Sequence, residues 1–391
     1  MSQTKKIIRV TTVPISLKVL LRQQLKFMAA HFDIVAVSSP GKTLEEVQTD
    51  EGVRVVPVAM TRAITPLKDL KALWQLYRFF RKEQPAIVHS HTPKAGLLSM
   101  VASKMAGVPV RMHTVAGLPL MESQGFKKII LEWVERLTYK CATTIYPNSR
   151  NLAAFITNRQ YCKPGKIKVL GNGSSNGINM DFFQATDPLV ATANMIREKL
   201  MIKKNDFVFL FIGRLVKDKG LEELVDAFCQ LKEKYNDIKL LLVGPFEPEL
   251  DPLQADVHKK INENDAIIQI DFQQDIRPYL IIGNVLTFPS YREGFPNVPM
   301  QAGCFDLPSI VSDINGCNEI IEHGKNGLII PVKDRSALLQ AMELLLTDQS
   351  LFLNLKANAR TMIRERYEQK QFWNMLLNEY HHQLKLHDDV S

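Results

Sequence analysis

The sequence predicts an α/β protein built of two doubly wound domains. Three observations carry that expectation. Short apolar runs alternate with longer amphipathic stretches, the pattern of parallel strands covered on both faces by helices. The 391 residues exceed what one hydrophobic core usually serves. The alternation breaks once, near residues 175–205, and then resumes.

Ile7-Ile8-Arg9-Val10 reads as the first strand, and Leu17 to Met28 follows it with helical spacing. Ile34 to Val37 and Val53 to Val58 read as the next two strands. Pro66 to Arg81 reads as a helix, Ala86 to His89 as a strand and Ala95 to Met105 as a helix. Val108 to Thr114 is extended and Lys127 to Cys141 helical, and Thr143 to Tyr146 and Ile167 to Leu170 close this half as strands. The break itself holds a helical stretch, Ala191 to Leu200. Beyond it, Phe207 to Ile212 is a strand, Gly220 to Lys234 a helix and Lys239 to Val243 a strand. Ala266 to Ile270, Val285 to Pro289 and Ser309 to Val311 follow as strands. The last helix, Gln369 to Leu384, has no strand after it. The expected division is 1–178, 179–366 and a terminal segment, 367–391, that caps the second domain or crosses back to the first.

Composition narrows the function classes. Hydrophobic residues make up 46% and charged residues 23%, ordinary for a soluble globular enzyme and unlike a disordered chain. No apolar run approaches the roughly 20 residues that span a bilayer. Met1 to Lys6 leads directly into a strand-like run and lacks the apolar core of a signal peptide. The five cysteines are scattered, and none form a C-x-x-C pair, which fits a reducing compartment. The expected location is cytoplasmic, or peripheral on the inner face of the plasma membrane. A net charge of +8 suits phosphate-bearing ligands or anionic lipid. The basic residues are spread along the chain, with no basic and aromatic strand face, so nucleic acid is not an expected partner.

Ligands of open parallel sheets bind beyond the strand C-termini, and the chemistry-bearing segments follow strands. Ser290 to Gly303 turns sharply from strand to helix with Glu293 at the corner. Amides at a helix start attract an anion, whereas a carboxylate beside them repels one. Glu293 is therefore matched to an uncharged, hydroxyl-rich group, and a sugar joined to a nucleoside diphosphate offers both partners. In Phe211 to Gly220 a strand ends at Gly213, and cations bracket the start of a helix. Arg214 presents a planar fork to phosphate oxygens and Lys219 a point charge, while Lys217 reads as solvated. Gln301 stands about two helical turns after Glu293, and its amide both donates and accepts, as two ribose hydroxyls require.

Gly213-Arg214-x4-Lys219-Gly220 and Glu293-Gly294-Phe295-Pro296 with Gln301 together resemble the nucleotide-sugar domain of glycosyltransferase family four. Pro147-Asn148-Ser149, Asn176-Gly177-Ile178-Asn179, Asn318-Glu319-Ile320-Ile321 and Gly324-Lys325-Asn326-Gly327-Leu328 extend the resemblance over nearly the whole chain. It implies a retaining enzyme of the GT-B fold, two Rossmann-like domains facing a central cleft. By this resemblance Arg214 and Lys219 hold the diphosphate, and Glu293 contacts the donor sugar. The amides of Phe295, Pro296 and Asn297 surround the distal phosphate, less the one proline lacks. Gln301 takes the ribose, where the family usually has glutamate, and Glu319 stands next to the nucleotide. Gly213, Gly294 and Pro296 shape the donor loops.

The first domain carries fewer signals. His113, on a strand running into the Gly117 loop, is the candidate for the family histidine that points at the donor sugar. With Glu293, Arg214 and Lys219 it completes the expected catalytic set. His89 and His91 end another strand and are expected on the acceptor side; no carboxylate or cysteine sits nearby to make them a metal pair. The Thr11 to Ser16 loop lacks the glycine pair common in the family. No strand-ending Asp-x-Asp motif appears, so neither metal nor cofactor is expected, and cations with helix-start amides neutralise the leaving diphosphate.

The expected reaction moves a sugar from a UDP-sugar to an acceptor hydroxyl with retention. No nucleophile is placed for double displacement, and same-face attack needs no protein base. The resemblance implies a saccharide acceptor on undecaprenyl diphosphate, in capsule, O-antigen or exopolysaccharide assembly. Pro66 to Lys82 interleaves Lys68, Lys71, Arg78, Arg81 and Lys82 with Trp74, Tyr77, Phe79 and Phe80. Such a helix either lies on an anionic bilayer or packs with a solvated basic face. Two alternatives remain at this stage: a sugar-nucleotide epimerase of the same architecture, and a non-catalytic sugar-nucleotide-binding subunit.

Overall fold

Each half of the chain builds one six-stranded parallel sheet in the computed structural model, which describes residues 4–118, 120, 123–247, 249 and 251–389. The first sheet uses β1 (Lys6–Val10), β2 (Asp33–Ser38), β3 (Arg54–Pro57), β4 (Ile87–Ser90), β5 (Val110–Val115) and β6 (Thr144–Pro147). The second uses β7 (Phe207–Ile212), β8 (Ile238–Val243), β9 (Ile267–Ile270), β10 (Val285–Phe288), β11 (Ser309–Ser312) and β12 (Gly327–Ile330). Their orders are β3-β2-β1-β4-β5-β6 and β12-β11-β10-β7-β8-β9, the same winding twice. Each sheet therefore reverses direction once, between β1 and β4 and between β7 and β10. Those are the places where parallel sheets of this kind hold ligands.

The chain divides into two compact units, Met1–Gly177 with Gln369–Ser391, and Ile178–Glu368. The central strands are apolar because both of their faces are covered. Alternate residues of β1 serve opposite faces: Ile8 joins Val35, Leu76 and Phe80, while Ile7 joins Leu17, Leu25 and Ile34. In the second unit, Phe209, Leu210 and Phe211 of β7 and Leu240 to Val243 of β8 are buried in one continuous core.

Helix Gln369–Asp388 belongs to the first unit. Its Phe372, Trp373, Leu376 and Tyr380 pack with Ile7, Leu17 and Ile34. Polar contacts fix its register: the Tyr146 hydroxyl donates to Glu379 (2.8 Å) and Trp373 Nε1 to Asn176 Oδ1 (2.7 Å).

Several elements differ from expectation, each for a local reason. The stretch Leu17 to Met28 is two helices, Pro14–Leu20 and Gln24–Ala29. Gln23, at φ 63°, breaks them, and the Glu51 carboxylate accepts from the backbone N–H groups of Gln23 (2.5 Å) and Lys26 (3.0 Å). A distant side chain thus caps the second helix. Ile167 to Leu170 forms no strand; Ile167 makes a single bridge to Ile145. The helix expected from Ala191 begins at Asp187. Gly327–Ile330 is an additional strand, and helices Arg335–Thr347 and Gln349–Tyr367 follow it. The side chains of Asp334 and Asp348 cap these two helices by accepting from Ala337 N and Leu351 N (2.9 Å each).

Candidate active site

The reversal of the second sheet brings together the exits of β7 and β10. After β7 the chain runs through Gly213 and Arg214 into a 3-10 turn, Lys217–Lys219, and then helix Leu221–Lys234. After β10 it runs through Pro289 to Gly294 into helix Asn297–Gly303. Between the 3-10 turn and helix Leu221–Lys234 stands Gly220, at φ 70°. A Cβ there would lie 2.2 Å from the Pro289 carbonyl oxygen, so the two exits approach to a distance only glycine permits.

Two parallel ion pairs join the exits. Lys219 Nζ donates to Glu293 Oε1 at 2.6 Å, and one residue earlier on each side Arg292 Nη2 meets Asp218 Oδ2 at 2.9 Å. The backbone follows suit: Tyr291 N donates to the Asp218 carbonyl (2.9 Å). Ser290 Oγ also donates to Glu293 Oε1 (3.1 Å). Both bonds therefore fall on Oε1 of Glu293, and among the described residues none falls on Oε2. Asn315, on the loop after β11, donates its side-chain amide to the Gly294 carbonyl and ties down the corner.

Arg214 is about half exposed, with Nη1 3.0 Å from Glu247 Oε2 on the loop after β8. That loop is bound to the β7 exit through Leu215 N to Pro245 O (2.8 Å) and Asp218 N to Asp251 Oδ2 (2.8 Å). Lys217, read as solvated, pairs with Glu222 at 3.3 Å. The result is two cations and one hydroxyl-accepting carboxylate on loops held from three neighbouring strands. Such a set can neutralise a developing diphosphate anion while gripping a polyol.

Gln301 lies one turn into its helix rather than two, because the helix starts only at Asn297. It is half-buried, as are Gly294 and Phe295; Pro296 is buried and Asn297 exposed. The Phe295 ring meets Tyr367 edge-on, 5.5 Å between centroids. Glu319 lies in the short helix Cys317–Ile320, where its carbonyl accepts from the Tyr367 hydroxyl (2.8 Å).

The histidines of the first unit require correction. His89 and His91, expected to face an acceptor, are 1% and 3% exposed. His89 shares hydrogen bonds with the Tyr380 hydroxyl and Thr114 Oγ1, both at 2.8 Å. His91 Nε2 accepts from Arg9 Nε (3.0 Å), and Arg9, also fully buried, donates its Nη2 to Gln24 (2.6 Å). Burial beside the Arg9 cation pushes both histidines well below the ordinary imidazole range, so they are neutral core groups. His113 is buried too, with Nδ1 2.9 Å from Ser90 Oγ and its ring against Gly96 and Tyr139. Burial pushes it down to about 4. Packing accounts for all three, and no acceptor or sugar contact is carried forward from them. Among the described residues, no group of three or more His, Cys, Asp or Glu side chains is placed to hold a metal ion.

Sequence reasoning missed Asp218, Glu247, Arg292 and Asn315. Asp218 had a signal: an acid between two lysines at a strand exit needs a partner, and Arg292 is it. Glu247 and Asn315 gave none, because their roles arise only when loops 33 and 21 positions apart along the chain meet.

Two parallel six-stranded sheets of this winding make the GT-B fold. HepE of Anabaena, solved with UDP, has the same fold: TM-score 0.81, 16% identity, covering 97% of this chain and 99% of that one. The model of glycosyl transferases group 1 matches residues 193–362, and that of the glycosyl transferase 4-like domain matches residues 19–173. The chain is 34% identical to the capsular polysaccharide biosynthesis glycosyltransferase CapM of Staphylococcus aureus, over 98% of each. It is 28% identical to the UDP-Gal:α-D-GlcNAc-diphosphoundecaprenol α-1,3-galactosyltransferase of Escherichia coli, over 85% of this chain and 84% of the relative. The chain belongs to glycosyltransferase family four and is a glycosyltransferase.

Proposed function

We propose that this enzyme transfers a sugar from a UDP-sugar to a saccharide carried on undecaprenyl diphosphate, with retention, during assembly of a bacterial surface polysaccharide. The observation that carries the reading is the Lys219–Glu293 pair at the β7–β10 reversal, with Arg214 on the same strand exit. Arg214 and Lys219 take the diphosphate, Glu293 Oε2 accepts from sugar hydroxyls, and Gln301 takes the ribose. The N–H groups of Phe295 and Asn297 complete the phosphate cradle, and Glu319 borders the nucleotide. The names of the Staphylococcus and Escherichia relatives support the polysaccharide and the lipid-linked acceptor.

In the reaction the anomeric carbon–oxygen bond to the β-phosphate breaks and a bond to the acceptor oxygen forms on the same face. The acceptor's proton passes to the departing phosphate, so no protein base is needed. The cations stabilise the charge that grows on the diphosphate, which is where the barrier is lowered. UDP release measured with and without a lipid-linked acceptor tests the reading. Acceptor-dependent release is expected. Release of UDP or of an altered sugar without any acceptor would overturn it.

A further inference from the structure

Helix Gly125–Cys141 turns an apolar stripe to solvent. Phe126 (76% exposed), Ile129 (52%), Ile130 (38%), Trp133 (72%) and Leu137 (46%) form it. At about 100° per residue these five fall within an arc roughly 100° wide. That is the width of a face normally turned toward a core. Here the core side is the opposite one, with Glu135, Thr138, Tyr139 and Cys141 buried. Single exposed apolar residues are ordinary, whereas a contiguous stripe marks an interaction surface.

The charges around the stripe have one sign. Lys127 and Arg136 flank it, and Lys140 stands exposed in the last turn. The two acids of the helix lie elsewhere: Glu135 is buried, and Glu132 accepts from the Tyr161 hydroxyl (3.2 Å). Helix Pro66–Glu83 repeats the arrangement, with Leu67 (86%), Leu70 (64%) and Trp74 (56%) exposed. Lys71, Arg78 and Arg81 continue its outward face, and Arg78 lies over the Trp74 ring at 4.6 Å. Helix Pro93–Met105 packs against both, so the two stripes flank it on one face of the first sheet.

We propose that helix Gly125–Cys141 is an in-plane anchor on an anionic lipid bilayer. Its five apolar side chains enter the boundary between headgroups and acyl chains, and the flanking cations meet lipid phosphates. An aromatic and apolar stripe rimmed by Lys and Arg is the pattern that lies in such an interface. A second copy of this chain fits worse, since it would set one cationic rim against another. No helix among the described residues is long and apolar enough to cross a membrane, so the contact is peripheral through this surface. The inference rests on the proposed lipid-linked acceptor, which places the reaction at a membrane.

The test uses the full chain and vesicles of phosphatidylcholine with and without phosphatidylglycerol. Wild type is expected to cosediment with the anionic vesicles only, with its tryptophan emission shifted to the blue. F126S/W133S is expected to lose vesicle affinity by roughly tenfold or more, with the melting temperature and the shift caused by UDP unchanged. Vesicle binding by the variant equal to wild type overturns the anchor. So does a solution dimer that F126S/W133S splits. Transfer to a detergent-solubilised lipid-linked acceptor without any vesicle binding sinks the anchor and leaves the function standing. Vesicle binding with no transfer to lipid-linked acceptors upholds the anchor and sinks that function.

Discussion

Lys219 Nζ donates to Glu293 Oε1 at 2.6 Å, and the two side chains are only 13% and 17% exposed. This contact holds the exits of β7 and β10 together. It also pre-places a cation beside the hydroxyl-accepting carboxylate. Lys219→Ala removes the cation and strands a mostly buried carboxylate. Turnover is expected to fall about 100-fold, and stability by about 1–3 kcal/mol. Glu293→Gln keeps an acceptor for hydroxyls and is expected to lose less stability. Steady-state UDP release and calorimetric melting check both. Wild-type turnover in Lys219→Ala would remove the pair from the mechanism.

Arg214 behaves differently because its partner is weaker. Its pair with Glu247 joins side chains 42% and 34% exposed, and such pairs contribute at most about 1 kcal/mol. Arg214→Ala is therefore expected to lower turnover about 100-fold while hardly moving the melting temperature. Glu247→Gln releases the guanidinium and is expected to leave turnover intact or lower the donor KM. An Arg214→Ala enzyme that is fully active but unstable would assign the arginine to the scaffold instead.

The fold was largely legible because its strands are buried on both faces and therefore read as apolar runs: Phe207 to Ile212 needed nothing else. What escaped were features set by tertiary contact. The break at Gln23 depends on Glu51, 28 positions away, and Gly327–Ile330 is a four-residue edge strand with little apolar length to signal it. At the candidate site, the placement of Gly213, Arg214, Lys219 and Glu293 just past strand ends was legible from the apolar runs before them. The histidines misled, since a strand end looks alike in sequence whether its side chain meets solvent or, like His89, the Tyr380 hydroxyl.

Gln301 stands where the family usually has glutamate, one turn into helix Asn297–Gly303. If its amide bridges the ribose hydroxyls, Gln301→Ala is expected to raise the donor KM about tenfold, the worth of one or two hydrogen bonds. Gln301→Glu, which keeps an acceptor and replaces the donor NH2 by a second one, is expected to stay within about threefold of wild type. A donor lacking the ribose 2′-hydroxyl would then discriminate poorly among wild type and Gln301→Ala. Equal donor KM for Gln301→Ala and wild type excludes the ribose role.

The buried ionisable groups of the first unit set opposite pH limits. Burial pushes His113 down from the ordinary 6.5 to about 4, and His89 and His91 are shifted the same way. The unfolded chain thus binds more protons at acid pH, and stability is lost as pH falls below 6.5; His113 alone accounts for about 1.4 kcal/mol per unit between 6.5 and 4. Glu135 runs the other way. Burial raises it from 4.5 to about 7, so its contribution is present at pH 4.5 and is lost as pH rises through 7. Glu135→Gln is expected to stabilise the protein at pH 8 and not at pH 4.5. Melting curves across that range check it, and an equal gain at both ends would mean that Glu135 is not held protonated.

Gly220 gives a test of the donor loop that removes no charge. Its φ of 70° costs an alanine about 1 kcal/mol in strain, and the added Cβ would meet the Pro289 carbonyl oxygen at 2.2 Å. Backbone cannot yield as a flexible side chain does, so the β7 and β10 exits must separate. Lys219 then moves away from Glu293, although neither is mutated. Gly107 supplies the control: its φ is 76°, but nothing lies within 4 Å of an added Cβ. Gly107→Ala is expected to lower stability by the strain alone and to leave UDP affinity unchanged. Gly220→Ala is expected to lower stability further and to weaken UDP binding about tenfold or more, since the phosphate cations lose their preset geometry. Titration calorimetry with UDP separates the two. Wild-type UDP affinity in Gly220→Ala would mean that the close approach of these exits shapes the fold and not the donor site.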